Sequence, residues 1–175
     1  PLWPDPRNSA NPAQNANRAG WAMTFLRVLL LIAVGFGLTA CSSKFKTYNG
    51  PEVTQVQVHK ADRKMYLFHN DKVLKKYNIG LGFAPEGHKE FEGDGKTPEG
   101  AYTITHRNPK SEFHLSLGIS YPNNADREKA AAMGKRPGGD IFIHGGPNKR
   151  VTVTDKQMET VYSMVKPGTP ILILP

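Results

Sequence analysis

The sequence predicts a mainly β fold, a β-sandwich or flattened barrel with two short peripheral helices. Turn-forming residues are frequent, with 17 Gly and 14 Pro among 175 residues, as many short strands require. Apolar and polar residues alternate in several short runs, whereas two segments alone have helical character. A chain of this length makes one domain of ordinary size, so about seven strands and two helices share one core.

The first three strands are predicted over residues 53–58, 64–68 and 73–79. Val56 and Val58 alternate with Gln, and His69-Asn70-Asp71-Lys72 forms a hairpin turn because Asn and Asp tolerate positive φ. Residues 80–95 form a long loop rich in glycine. Its charged residues predict a solvated loop, with a substrate-gating lid as the alternative; they are Glu86, Lys89, Glu90, Glu92, Asp94 and Lys96.

The second half of the domain continues with a turn at Pro98 and Gly100 and a strand over residues 102–104. Residues 113–121 alternate cleanly and predict a half-buried strand with His114 on its polar face. Helices are predicted over residues 124–133, ending at Gly134, and from the capping box at Thr154 to about residue 165. Strands over 141–143 and 171–174 complete the domain. His88 and His106 lie near predicted loops and are expected to be solvated.

The strand over residues 141–143 runs directly into His144, Gly145 and Gly146. A buried strand fixes its last residue rigidly, and two glycines let backbone amides and a substrate approach closely. We therefore predict His144 and Gly145 as catalytic residues and Gly146 as a substrate-binding residue. His114 is also predicted to bind substrate, because it lies on the polar face of the strand over residues 113–121. His144 by itself is equally consistent with a hydrogen-bonded structural histidine, and His114 with a structural or rim residue.

The first 50 residues have the character of an export segment. Residues 1–22 are rich in Pro, Asn and Ala and are predicted to be disordered or upstream sequence, with a short genuine tail as the alternative. Residues 23–40 resemble a lipoprotein signal peptide, because residues 28–38 carry no charge yet are too few to span a membrane. Leu38-Thr39-Ala40-Cys41 resembles a lipobox, so Cys41 is the predicted lipid attachment site. A plain signal peptide or an apolar core helix are the alternatives.

Residues 41–50 are then a lipidated tether, and residues 51–175 are the catalytic-like domain. Because no Asp follows Cys41, the lipobox resemblance implies sorting to the outer membrane. The predicted location is therefore the periplasm, with the membrane as a partner through the lipid.

Charge and composition exclude several functional classes. The net charge is +8, and 20 basic and 14 acidic residues follow residue 40, so the domain itself is basic. No nucleic-acid-binding motif is present, and an anionic polymer such as cell wall suits the charge at least as well. The six His form no H-x-x-x-H or H-E-x-x-H pattern, and the single Cys permits no Cys-based metal site. We predict no metal, cofactor or nucleic-acid partner.

Three motifs resemble those of one family, in the right order. They are Thr97-Pro98-Glu99-Gly100-Ala101-Tyr102, Ile141-Phe142-Ile143-His144-Gly145 and Pro167-Gly168-Thr169-Pro170-Ile171. Together they resemble the L,D-transpeptidase catalytic domain, also called the YkuD domain, over residues 53–174. The stretch 113–123 is similar to a lipoprotein-like branch that includes a murein hydrolase.

This resemblance implies Cys–His acyl transfer or hydrolysis on meso-diaminopimelate-containing peptidoglycan stem peptides, with His144 as the base. The family's (S/T)-x-G-C motif, expected shortly after this His, is missing, so a loop between about Pro147 and Val151 has been lost. Thr152 lies near the lost position, but a hydroxyl has a far higher pKa than a thiol. Ser163 lies in the predicted helix and lacks the glycine-rich flank.

Two hypotheses remain. One is an L,D-transpeptidase-type enzyme whose sequence has lost the nucleophile and which is inactive in this form. The other is a catalytically dead lipoprotein that binds peptidoglycan.

Overall fold

The computed structural model describes residues 43–146 and 151–175. The chain divides into two compact units, Pro1–Ser43 and Lys44–Pro175, and only Ser43 of the first is among the described residues. The predicted signal peptide, Cys41 and the residues before them therefore lie outside the described part. No helix within that part is long and apolar enough to cross a membrane.

Eight strands and two helices are formed by the described residues. The strands are β1 (Gln55–His59), β2 (Lys64–His69), β3 (Lys72–Asn78), β4 (Gly100–Asn108), β5 (Ser116–Ile119), β6 (Phe142–His144), β7 (Val151–Thr152) and β8 (Pro170–Leu174). The helices are α1 (Asn124–Ala132) and α2 (Asp155–Met164). The predicted mainly β class with two short helices is confirmed.

The strands lie in the order β3-β2-β1-β8-β4-β5-β6-β7. Strand β4 joins two half-sheets, because residues 100–103 pair with β8 whereas residues from Ile104 onward pair with β5. The register shifts between Ile104 and His106, and such irregularities bend a strand. Strand β4 thus belongs to both half-sheets.

The two ends of this strand order meet at one point. Gly80, just after β3, forms an antiparallel bridge with Thr152 of β7. The Gly80 N–H donates to the Thr152 carbonyl at 2.9 Å, and the Thr152 N–H donates back at 3.0 Å. A Cβ on residue 80 would lie 2.4 Å from Thr152 Oγ1, so a side chain there would force Thr152 to move. This bridge closes the sheet toward the predicted flattened barrel.

The alternation predicted for the first strand is observed, and the second strand alternates as well. Val56, Val58, Met65 and Leu67 are fully buried, and the residues between them are half-exposed on the opposite side. The hairpin between β2 and β3 turns at Asn70, which has φ 50.

The prediction of one half-buried strand over residues 113–121 is wrong. Only Ser116–Ile119 forms a strand, and all four residues are buried. Both faces of β5 are covered, since α2 packs against it and the His106 ring lies where a Cβ of Gly118 would be. Phe113 is 46% exposed, and His114 has φ 69, which ends the alternation before β5 begins.

Both predicted helices are present with their predicted caps or stops. Thr154 caps α2 and exchanges hydrogen bonds with Gln157, as the capping box predicted. Asn123 and Asp126 form a second capping box at α1, and Gly134 after it has φ 65. The two-residue strand β7 was missed, because it is held by its neighbours and has no periodicity of its own.

The prediction of a solvated charged loop is wrong for Lys89 and Asp94, which are both buried. The Asp94 carboxylate accepts from Lys89 Nζ at 2.8 Å and from the backbone N–H groups of Glu90, Phe91 and Lys96. Burial acts to raise the pKa of Asp94, but these donors outweigh it and hold the pKa below its usual value. The loop is therefore built around an internal ion pair.

A second network explains the Thr97–Tyr102 motif. The Tyr102 hydroxyl lies 3.1 Å from Asp126 Oδ2 and 3.3 Å from the Glu99 carbonyl. His88 lies 3.1 Å from Asp126 Oδ1 through Nε2 and accepts the Glu99 N–H at Nδ1, so the expectation that it is solvated is wrong. Glu99 also binds the buried Lys60 at 2.7 Å. These contacts join the long loop to β4 and α1.

Candidate functional site

His144 ends β6 and is 3% exposed. Its Nδ1 lies 2.7 Å from the carbonyl oxygen of Gly145. A carbonyl only accepts hydrogen bonds, so Nδ1 carries the proton and Nε2 is the basic nitrogen of the neutral ring. This tautomer is the one that a general base requires when its Nε2 side faces the reacting group.

A cleft of about 400 Å³ opens at His144. The Phe113 ring lies over the imidazole, with centroids 4.4 Å apart and an angle of 35° between the planes. Phe142 and Ser116 line the same cleft, and its other lining residues are Asn108, Lys110, Ser111 and Glu112. The cleft combines an apolar aromatic wall with a polar, charged rim, which is common among ligand sites.

Gly145 has little room for a side chain. A Cβ there would lie 2.5 Å from Asp155 Oδ1 and 3.1 Å from the Phe113 carbonyl oxygen. Gly146 has φ 82 and lines a second concavity of about 650 Å³ with Gly80, Thr152 and the first turn of α2. Gly146 thus lines a different concavity from His144, and the roles of Gly145 and Gly146 remain predictions.

His114 does not line the cleft. Its Nε2 lies 3.2 Å from Glu159 on α2, and Glu159 also binds Lys46 at 3.0 Å. The hydrogen bond from Lys46, aided by His114, lowers the pKa of Glu159 against the opposing effect of burial. The predicted substrate-binding role of His114 stays untested by this geometry.

The residues just before the predicted domain start at residue 51 also contact the domain. Lys44 Nζ donates to the carbonyls of Pro109 at 2.7 Å and His114 at 3.1 Å. The segment between these two carbonyls contains the rim and Phe113. Lys44 therefore binds both ends of the segment 109–114, which forms one wall of the cleft. Sequence reasoning missed Lys44 and Phe113, because only long-range contacts bring them to the site. It also missed Phe142, although this residue lies two positions before His144 on β6 and strand alternation could have found it.

The position expected for a nucleophile follows β6. Strands β6 and β7 are parallel neighbours, with Ile143 opposite Val151 and His144 opposite Thr152. Only residues 145–150 connect them, and residues 147–150 are outside the described part. Parallel neighbours ordinarily need a connection of about a dozen residues or more. The chain's one Cys is Cys41, so no thiol follows His144.

Two hydroxyl groups were considered in place of the thiol. Thr152 lies beside His144 across the strand pair and is 5% exposed, with its Oγ1 directed at Gly80. Ser163 lies on α2, as predicted, and its hydroxyl donates to the Thr160 carbonyl at 2.8 Å. Within residues 43–146 and 151–175, no three His, Cys, Asp or Glu side chains are placed to hold a metal ion.

Fold, motifs and the His144 cleft together define a protein of the L,D-transpeptidase class. Residues 54–173 match the YkuD family, described as the L,D-transpeptidase catalytic domain, and the chain belongs to that family. The resemblance predicted from the three motifs is thereby confirmed.

Individual relatives agree with this assignment. The chain is 29% identical to "Putative L,D-transpeptidase YafK" of Escherichia coli K12, over 69% of this chain and 52% of that protein. The helical cell shape determining protein Pgp2 of Campylobacter jejuni has the same fold, with a TM-score of 0.54 and 23% identity, over 72% of this chain and 49% of Pgp2. Bd1075 of Bdellovibrio bacteriovorus follows at 0.50 and 24%, over 74% of this chain and 50% of Bd1075. The chain spans about half the length of these proteins.

Proposed function

We propose that this chain is a peptidoglycan-binding protein of the bacterial envelope that retains the L,D-transpeptidase cleft but is inactive in acyl transfer. Family membership and the basic domain support the choice of peptidoglycan. The observation that carries the inactivity is the absence of any Cys after His144 in the sequence.

The chemistry of the family makes the consequence clear. In Cys–His acyl transfer, a base takes the thiol proton, the thiolate attacks the stem-peptide carbonyl, and backbone amides hold the oxyanion. His144 presents the correct nitrogen for the first step, but there is no thiol for it to act on. Thr152 is no replacement, since its hydroxyl is far less acidic and its oxygen is directed at Gly80.

The test uses purified chain and isolated peptidoglycan sacculi. We expect the chain to sediment with sacculi while leaving the composition of their peptides unchanged. His144→Ala should bind equally well, because binding by the cleft walls does not require the base. Any cleavage or cross-linking by the chain refutes the inactivity, and failure of the chain to sediment refutes peptidoglycan binding.

A second candidate is an active L,D-transpeptidase. It is favoured by the short connection between the parallel strands β6 and β7, which suggests that a segment is missing from the sequence. Sequencing the genomic locus decides between the two. A restored (S/T)-x-G-C segment between residues 147 and 151 would establish the active enzyme, whereas an unchanged sequence would leave the binding protein.

We also propose that Cys41 is lipidated and that the protein faces the periplasm from the outer membrane. The lipobox-like residues before the single Cys support this location. Cells fed a labelled fatty acid should incorporate label into the wild-type chain and not into Cys41→Ser. Equal labelling of both chains would contradict the assignment.

A further inference from the structure

A second surface of the domain has the composition of a ligand site. It is the solvent side of β1 and β2, here called the outer face, and it consists of Gln55, Gln57, His59, Lys64, Tyr66 and Phe68. These residues alternate with the buried core residues of both strands, so they project from the same side of the sheet. Each of the six is half-exposed, including the aromatic residues Tyr66 and Phe68.

The outer face is ordered by contacts among its own members. Gln57 Nε2 donates to Gln55 Oε1 at 2.8 Å, and His59 Nε2 lies 3.4 Å from Gln57 Oε1. The Tyr66 ring contacts His59 edge-on at 5.2 Å and Phe68 at 6.1 Å with a tilt of 38°. A row of amides thus runs beside a row of aromatic rings, both held in place before any ligand arrives.

Positive charge surrounds this surface. Residues 55–78 contain six basic and two acidic side chains. Lys60 is used internally by Glu99, whereas Lys76 Nζ lies 5.4 Å from the centre of the Tyr66 ring on the outer face. Lysines on the edge strand β3 also protect it from pairing with other chains. That role does not require an ammonium group beside an aromatic ring. The Lys76 ammonium adds positive charge next to the aromatic row, which suits a ligand with negative charge.

We infer that the outer face binds the glycan strand of peptidoglycan, a polymer of N-acetylated amino sugars; this rests on the proposed function. Aromatic rings stack on the apolar faces of sugar rings, and the Gln amides match hydroxyl and acetamido groups as donors and acceptors. Lys76 and Lys64 suit the carboxylates of the polymer, which are those of the stem peptides or, after an amidase has removed these, those of the lactyl groups that held them. The site is separate from the cleft, because β1 and β2 belong to one half-sheet and His144 to the other.

The experiment compares two lysines on the same strand. Tyr66 and Lys76 are opposite one another on the outer face, whereas Lys75 is opposite the buried Leu67 and projects from the other side. Full-length wild type, Tyr66→Ala, Lys76→Glu and the control Lys75→Glu are sedimented with sacculi and with glycan strands freed of peptides by an amidase. Thermal unfolding checks that each variant is folded. If Tyr66→Ala does not fold, Lys76→Glu still tests the inference.

We expect Tyr66→Ala and Lys76→Glu to bind both materials about tenfold more weakly, and Lys75→Glu to bind within about twofold of wild type. If wild type binds sacculi and all variants bind them equally well, the inference is overturned and the proposed function stands. Equal losses in the two lysine variants would mean unspecific charge attraction and would also overturn it.

Other outcomes identify other occupants. Binding to sacculi but not to peptide-free glycan would assign the ligand to the stem peptides and overturn the glycan assignment. A dimer that Lys76→Glu converts to a monomer would make the outer face a self-association surface. No binding of wild type to sacculi would refute the proposed function itself.

Discussion

Two buried tyrosines offer a matched test of what holds the domain together. Tyr102 and Tyr77 are almost equally buried, and burial raises the pKa of both hydroxyls, to about 12 for Tyr77. The Tyr102 hydroxyl has the Asp126 carboxylate and the Glu99 carbonyl as acceptors. The Tyr77 hydroxyl has no hydrogen-bond partner among the described residues.

Replacing each with Phe removes one oxygen and leaves the packing unchanged. Tyr102→Phe takes a donor away from a buried carboxylate, which costs about 1.5–3 kcal/mol of unfolding free energy. Tyr77→Phe removes a buried group that nothing satisfies, so its expected effect lies between zero and about 1 kcal/mol of added stability. For a domain of this size the melting temperatures should differ by about 10 °C.

The measurement is urea unfolding followed by circular dichroism, with thermal melts in parallel. Equal shifts of the two variants would refute the reasoning, since they would show that the Tyr102 hydrogen bonds contribute nothing beyond ring packing. Confirmation would establish that the Tyr102 hydroxyl of the Thr97–Tyr102 motif stabilises the fold through its contacts with Glu99 and Asp126.

The buried pair of Lys89 and Asp94 predicts that Asp94→Asn costs about 3–5 kcal/mol in urea unfolding at neutral pH, whereas Glu92→Gln, in an exposed pair with Arg136, costs under about 1 kcal/mol. Because the folded pKa of Asp94 is lowered, the stabilisation that its carboxylate contributes is complete above the unfolded pKa of about 4. This stabilisation is lost as the pH falls through the folded pKa, so a wild-type stability that is flat across the acid range would contradict the reasoning. Gly145→Ala should destabilise by about 1–3 kcal/mol through its contacts with Asp155 and Phe113, while Gly139→Ala, with nothing within 4 Å, should be nearly neutral; similar melting temperatures for the two would show that the turn adapts.

Sequence patterns predicted the elements that have one side in the core. The alternation of β1 and β2 was readable because each strand buries one face only. Strand β5 is covered on both sides by parts of the chain distant in sequence, so its true length was not encoded in its own pattern. The burial of Lys89 and Asp94 likewise depends on backbone N–H groups that converge on one carboxylate, which residue types do not reveal.

The candidate site was likewise predicted from the sequence only in part. His144 was identified from a local motif, and the strand that positions it was correctly predicted. Phe113 was assigned to a strand and its stacking on His144 was missed, because the two are 31 positions apart and meet only through the β5–β6 pair. Lys44 reaches the same cleft wall across an even longer separation.

The parallel pair of β6 and β7 bears on how this site can be engineered. Val151 and Thr152 are held by β6 on one side and by Gly80 on the other, so their position does not depend on the connection between His144 and Val151. Lengthening that connection to twice its six residues costs only about 0.6 kcal/mol in loop-closure entropy. A longer loop that carries a thiol to His144 can thus be inserted between His144 and Val151, whose relative register the pairing of β6 and β7 already fixes.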